Sequence, residues 1–285
     1  SVMLVATFAA AALWQQWRAA EVEGADQHPG GPDHLAEPWA VPLEEARLTS
    51  FLSADKNVSS DSLEGLPDAF LSGRIVDAQS KLNVLSLVDN GKPVPASVAT
   101  FTRLFNLLGL PASELSRMTT GLAAALATGT ATDGSSGDSG AAPLMPQQVS
   151  QLVWLGLSSS TAAALEPYVT ILPVKTTLNL NTASAEAISA SMESLNIASA
   201  RQLVERRARA FFKDIAAANA ALPSGSAPFN AAQHGVGTQY FEVYGKLRLD
   251  RTYVEERSLL QRSGVTVTTI WRTRGAGATN TPVKP

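Results

Sequence analysis

Gln239–Asp250 reads QYFEVYGKLRLD. Tyr240, Glu242, Tyr244, Lys246, Arg248 and Asp250 alternate there with Phe241, Val243, Gly245, Leu247 and Leu249. A period of two held over so many residues predicts a strand. It would carry an apolar face (Phe241, Val243, Leu247, Leu249) and a polar one. Thr252–Arg262 and Val265–Arg274 predict two further strands, with Ser263-Gly264 as the tight turn between them. The three form an antiparallel meander whose apolar face needs a second layer to cover it.

That second layer is expected at the other end of the chain. Ser1–Leu13, SVMLVATFAAAAL, is apolar and uncharged. At 1.5 Å per residue it spans about 20 Å. A bilayer core takes about 30 Å, or roughly 20 residues. The run is therefore either a core helix or the end of a membrane helix that begins before Ser1. Trp14, Trp17 and Arg18 follow at once, where an aromatic belt and a snorkelling cation meet headgroups, and they select the second reading. A signal peptide would need a basic start and a small-residue cleavage site, and neither precedes Trp14. A lone N-terminal helix packed on an antiparallel meander is the pilin architecture. Glu21–Pro38 is rich in Gly, Pro and charge and is read as a linker or surface loop. Trp39 and Leu43 are expected to anchor the following segment to a core.

Between these ends the pattern changes. Gly73–Val84 suggests a β-hairpin: Ile75 and Val76 form one strand, Asp77–Ser80 turns, and Leu82, Val84 and Leu85 resume. Asp77 and Asn83 are expected to hold that turn. From Ala96 the period is helical. Phe101, Leu104, Phe105 and Leu108 make one stripe, stopped by Gly109 and Pro111. Glu114–Thr128 predicts a second helix with Leu115, Met118, Leu122 and Leu126 inward. Thr130–Ala142 is a low-complexity surface loop. Gln147–Leu155 and Ser159–Tyr168 predict short helices. In LNLNTASAE (178–186), Thr182 or Ser184 can cap a helix over Ala185–Ser194, and Ser199–Phe211 predicts the next.

Charge and composition exclude several classes of function. Of 285 residues, 45% are hydrophobic and only 16% charged, which suits a surface partly covered by partners. A net charge of −3 does not advertise nucleic acid. With no Cys, disulfides, thiolate catalysis and Cys-based zinc sites are excluded, and with three His a multi-His metal site is not expected. Asp26, His28, Asp33 and His34 have no frame that fixes them as a metal cluster. Asp133 and Asp138 lack the bidentate Glu of a calcium loop. The helix pair around 185–211 resembles a helix-hairpin-helix unit, so the alternative function is a periplasmic DNA-binding protein of the competence type. Its hairpin, Leu195-Asn196-Ile197-Ala198, has none of the glycines that let backbone N–H groups reach phosphate. Arg201, Arg206, Arg207 and Arg209 are then read as a solvated helix face. No triad, phosphate loop or metal-hydrolase motif marks an enzyme. His234, in a His-Gly-Val-Gly loop, is the one candidate base and is read as a loop residue.

One resemblance draws these parts together. WQQWRAAEVE (14–23), EPWAVPLEEARL (37–48), SGRIVDAQSKLNVLSLV (72–88), LNLNTASAEAI (178–188) and YFEVYGKLRLDR (240–251) through ERSLLQR (256–262) follow one another along the chain. As an ordered set they resemble the protein K family of the type II (general) secretion pathway, the large minor pseudopilins. The resemblance implies an α+β, pilin-like fold with a large inserted all-α domain. On that fold 1–23 is the partly transmembrane helix and 24–95 the loop and first hairpin of the pilin-like part. Residues 96–230 are the inserted helical domain, 231–274 the C-terminal strands and 275–285 a tail. The chain would begin inside the membrane helix, downstream of the prepilin peptidase site. Glu23 runs almost directly to the Pro-Gly loop at Pro29, where the family's helix usually continues.

The function implied is non-enzymatic: capping the tip of a periplasmic pseudopilus with the minor pseudopilins I and J, above the major pseudopilin. That assembly supports export of folded proteins across the outer membrane. The location implied is the bacterial inner membrane, single-pass, with the globular part in the periplasm and no nucleic-acid partner. Leu4, Val5, Phe8, Leu13 and Trp17 are the expected contact face of the helix. The resemblance also allows calcium in the globular part, with no ligand assigned.

Overall fold

The structure is a computed structural model and describes residues 31–47, 69–129, 143–249, 252–264 and 266–278. The apolar run with Leu4, Val5, Phe8, Leu13 and Trp17 lies outside the described residues. So do Asp26, His28, Asp133, Asp138 and the tail beyond 278. Among the described residues no helix is long and apolar enough to cross a membrane. The chain divides into two compact units, one of residues 1–77 and 239–285, the other of residues 78–238.

The first unit is built on a five-stranded antiparallel sheet. Its strands are β1 (Leu43–Arg47), β2 (Ala69–Asp77), β3 (Tyr240–Leu249), β4 (Thr252–Ser263) and β5 (Thr266–Ala278). They lie in chain order, each paired with the next, so the second unit leaves the sheet after β2 and returns before β3. The three C-terminal strands fall where the period-two pattern puts them. Ser263 pairs with Thr266, and Gly264 supplies the positive φ of +57° at the turn. Phe241, Val243 and Leu247 are buried, as their shared face requires. Trp39, in a short 3-10 turn at Pro38–Ala40, meets Phe241 edge-on at 5.3 Å. Its indole Nε1 donates to Glu37. Asp33 is 3% exposed and accepts two bonds from Arg262, at 2.6 and 2.8 Å.

The hairpin expected at Gly73–Val84 does not form. β2 runs on to Asp77 and pairs with β1 on one side and β3 on the other, with Ile75 opposite Val243. The segment that resumes at Leu82 belongs to the other unit, where Leu82 and Asn83 pair with Val169 and Thr170 in parallel. A strand with one partner, β3, some 170 residues further along leaves no local hairpin signature, and the turn-rich Asp77–Ser80 is the exit from the sheet.

The second unit is mostly helical, with three two-stranded ladders added. Its helices are α1 (Pro95–Leu108), α2 (Ala112–Gly129), α3 (Ser159–Leu165), α4 (Ala185–Ser191), α5 (Ile197–Arg209) and α6 (Ile215–Ala220). α1 starts on Pro95 and stops at Gly109, whose φ of +66° lets Leu110 N–H reach back to the Phe105 carbonyl. Ser158, Ser184, Asn196 and Asp214 cap α3 to α6 through their side chains. The short helix expected over Gln147–Leu155 is a 3-10 helix at Val149–Leu155, closed by Gly156 at φ +94°. Phe101, Leu104 and Phe105 of α1 are buried with Met118 and Leu122 of α2, as their spacing predicts. Leu152, Leu165 and Val169 complete the centre of the core.

Candidate interaction surfaces

The second face of the sheet is where polar chemistry gathers. β3 sends Glu242, Tyr244, Lys246 and Arg248 to it, as the alternation predicts. Antiparallel register places Arg74 of β2 and Arg257 of β4 on either side of Tyr244. Their guanidinium carbons lie 4.5 and 5.1 Å from the Tyr244 ring centroid. Arg257 also lies 5.7 Å from the Trp271 ring, on β5. Lower down, Lys246 sits 3.9 Å from the Tyr253 ring and Arg248 sits 4.4 Å from the Phe70 ring.

Carboxylates stitch this grid. Glu242 is 3% exposed, accepts from the Tyr244 hydroxyl at 2.6 Å and pairs with Arg257 at 3.0 Å. Burial, followed by the neighbouring Glu242 charge, pushes the Tyr244 hydroxyl well above its usual value, so it stays a donor. Arg248 grips Glu45 of β1 with two nitrogens, and that bond holds the Glu45 carboxyl below its usual range. Lys246 pairs with Glu255. On the opposite face, buried Glu256 holds Arg272 at 3.1 Å and Arg274 at 2.7 Å. The alternation reveals that this surface is polar. It does not reveal that Tyr240 and Glu242 are buried there, because register with β2 and β4 decides what covers them.

In the helical unit, the residues singled out in the sequence have structural roles. Asn179 and Asn181 are buried. Asn181 accepts from Phe212 N–H and donates to the Phe212 carbonyl, tying this segment to the end of α5. Asn83 holds no hairpin turn. It accepts from Leu85 and Leu172 N–H and donates to the Val174 carbonyl. Asp77 is the last residue of β2, opposite Phe241.

α4 and α5 do form a helical hairpin, and its cap is Asn196. The arginine face is only partly solvated. Arg201, Arg206 and Arg209 are exposed, but Arg207 is buried and its guanidinium donates to the Leu180 carbonyl. Desolvation there lowers its pKa to about 10. His234 is 2% exposed. Its Nδ1 meets Asn230, its Nε2 lies 2.9 Å from the Ser191 hydroxyl, and Phe229 packs edge-on against the ring. Burial pulls the imidazole pKa down. It is walled off from any substrate, so the arrangement braces the ladder in which His234 pairs with Leu178.

Among the described residues no group of three His, Cys, Asp or Glu could hold a metal ion. Of the Asp26, His28, Asp33 and His34 set, the two described residues are Asp33, which accepts from Arg262, and His34, whose Nδ1 accepts from Ala36 N–H. A groove of about 310 Å³ lies between α1 and the α4–α5 hairpin, lined by Arg103, Leu107, Met192 and Glu193 among others.

Sequence models of the family "Type II secretion system (T2SS), protein K" match residues 80–174 and 178–238. Together they take in more than half of the chain. A type II secretion system protein K from Pseudomonas aeruginosa is 28% identical over 262 residues, covering 88% of this chain and 73% of that protein. The crystal structure of the GspK-GspI-GspJ complex from the enterotoxigenic Escherichia coli type 2 secretion system contains a chain of like fold. The TM-score is 0.66 at 18% identity, over 96% of both chains.

Proposed function

The chain belongs to the protein K family of the type II secretion system, and on that premise we propose that it is a non-enzymatic minor pseudopilin that caps a pseudopilus. The observation that carries this reading is the family match along the whole helical unit, in the position where that unit interrupts the sheet between β2 and β3. The partners are the minor pseudopilins I and J of the same system, and the crystallised E. coli assembly of GspK with GspI and GspJ supports that pairing. A bulky helical unit in the middle of a pilin-like chain suits a terminal subunit, since a further subunit could not stack above it.

The chain is held in the inner membrane by the segment ending at Leu13, above the major pseudopilin, with its two folded units in the periplasm. Leu4, Val5, Phe8, Leu13 and Trp17 form the helix face that meets neighbouring subunits. The assembly supports export of folded proteins across the outer membrane. Deleting the gene in its own organism tests this. Export of the secreted proteins should stop and return when the gene is restored. Unchanged export in the deletion strain would contradict the reading.

A further inference from the structure

We infer that Val169–Leu180 is a clasp that fastens the entering and leaving ends of the helical unit to one segment, and that β2 pairs with β3 only while this clasp is closed. The inference concerns the chain itself and stands apart from the pseudopilin reading.

The seams of the sheet differ in what joins their strands. β3 meets β4 through a short turn, with Leu249 opposite Thr252, and β4 meets β5 at Gly264. β1 and β2 are separated by residues 48–68. β2 and β3 are separated by the whole of 78–238, yet Asp77 lies opposite Phe241 in their register. The ends of a flexible connection of roughly 160 residues meet about 250-fold less often than those of a hairpin loop of about four. A helical unit that holds its own two ends removes that handicap and lets the seam close as a hairpin does.

Contacts inside the helical unit hold both ends. On the entering side, Gln79 Nε2 donates to the Thr177 carbonyl at 3.1 Å, and Asn83 Nδ2 donates to the Val174 carbonyl at 2.7 Å. Leu82 and Asn83 pair with Val169 and Thr170. On the leaving side, His234 and Gly235 pair in parallel with Leu178 and Asn179. Leu178 N–H donates to the Gln233 carbonyl and Leu180 N–H to the Gly235 carbonyl, each at 2.8 Å. The two ends thus grip adjacent parts of one continuous segment. Water scarcely reaches the clasp: Ala78, Asn179 and Leu180 are fully buried, and Gln79, His234 and Thr238 are no more than 5% exposed. Buried bonds are costly to leave unmade, so the clasp opens as a piece.

Gly235 is its tightest point. A Cβ there would stand 2.9 Å from Thr177 Oγ1, closer than side chains tolerate. Thr177 is also the residue whose carbonyl holds Gln79. Gly235→Ala therefore pushes the leaving strand off the segment that holds the entering end. Gln79→Ala removes the entering tie and adds no bulk.

Amide exchange in the full chain tests the coupling. The Leu178 and Leu180 amides report the clasp, and the amides that bond β2 to β3 report the seam. In Gly235→Ala both groups should exchange at least about tenfold faster, with loop closure setting a ceiling of roughly 250-fold at the seam. Amides that bond β4 to β5, whose strands share a turn, should exchange as in the native chain. Gln79→Ala should show the same rise at the seam, smaller in size. Seam amides at the native rate while Leu178 and Leu180 exchange faster overturn the inference. An equal rise throughout the sheet overturns it as well, since that is general loss of stability. If Gly235→Ala does not fold, Gln79→Ala decides alone: a seam at the native rate, or a rise shared equally by β4 and β5, overturns the inference.

Discussion

Glu242 is a charge placed where water scarcely reaches, and two neighbours make that tolerable: the Tyr244 hydroxyl and the Arg257 guanidinium. Breaking such a pair costs more than the pair itself contributes, because the remaining charge is stranded. Glu242→Gln should destabilise the sheet unit by about 3 kcal/mol, whereas Tyr244→Phe, which removes one hydroxyl, should cost about 1 kcal/mol. Urea denaturation of the two variants measures both, and equal effects would show that Arg257 does not depend on Glu242.

His234 makes a second residue-scale prediction. Its folded pKa lies below the ordinary 6.5, so below pH 6.5 the unfolded chain binds the extra proton. Stability of the helical unit is therefore full above that pH and falls as pH drops through 6.5 toward the folded value. For one proton the slope is at most about 1.4 kcal/mol per pH unit. Asn230, Ser191 and Phe229 face the ring and none is charged, so no neighbouring carboxylate offsets the loss. Denaturation curves between pH 7.5 and 5 should show the slope, and His234→Gln should remove it.

At the scale of elements, the helical unit is held by caps and cross-ties that differ in burial. Asn196 caps α5 at the surface, and Asn196→Ala should cost about 1 kcal/mol. Asn83 is 5% exposed and serves two N–H groups and a carbonyl at once, so Asn83→Ala should cost about 3 kcal/mol. A smaller loss at Asn83 than at Asn196, read from denaturation midpoints, would contradict the assignment.

These elements were not equally legible in the sequence. β3 to β5 pair with neighbours through short turns and carry a period of two, so their side-chain pattern declares them. α1 and α2 carry apolar stripes that are buried where the spacing puts them. β2 could be read only as half of a hairpin, because its partner β3 comes after the whole helical unit. β1 was hidden in a segment that reads as anchored loop, and α6 in an Ala-rich stretch with no stripe. On the polar face of the sheet, Arg74, Tyr244, Arg257 and Trp271 were visible as residue types but not as neighbours. Cross-strand register, which no local window contains, brings them together.

At the scale of the whole molecule, residues 78–238 form a unit with its own core, from Leu82 to Phe229. Excised, this unit should unfold in one cooperative transition and resist proteolysis at its ends. A gradual melt would mean that its core is completed by the rest of the chain. The central claim concerns assembly, and the mass of the assembled species tests it most directly. Purified with minor pseudopilins I and J of its own system, the chain should elute as one species whose light-scattering mass equals one copy of each. A chain that elutes alone, at the mass of a monomer, in the presence of both would contradict the account.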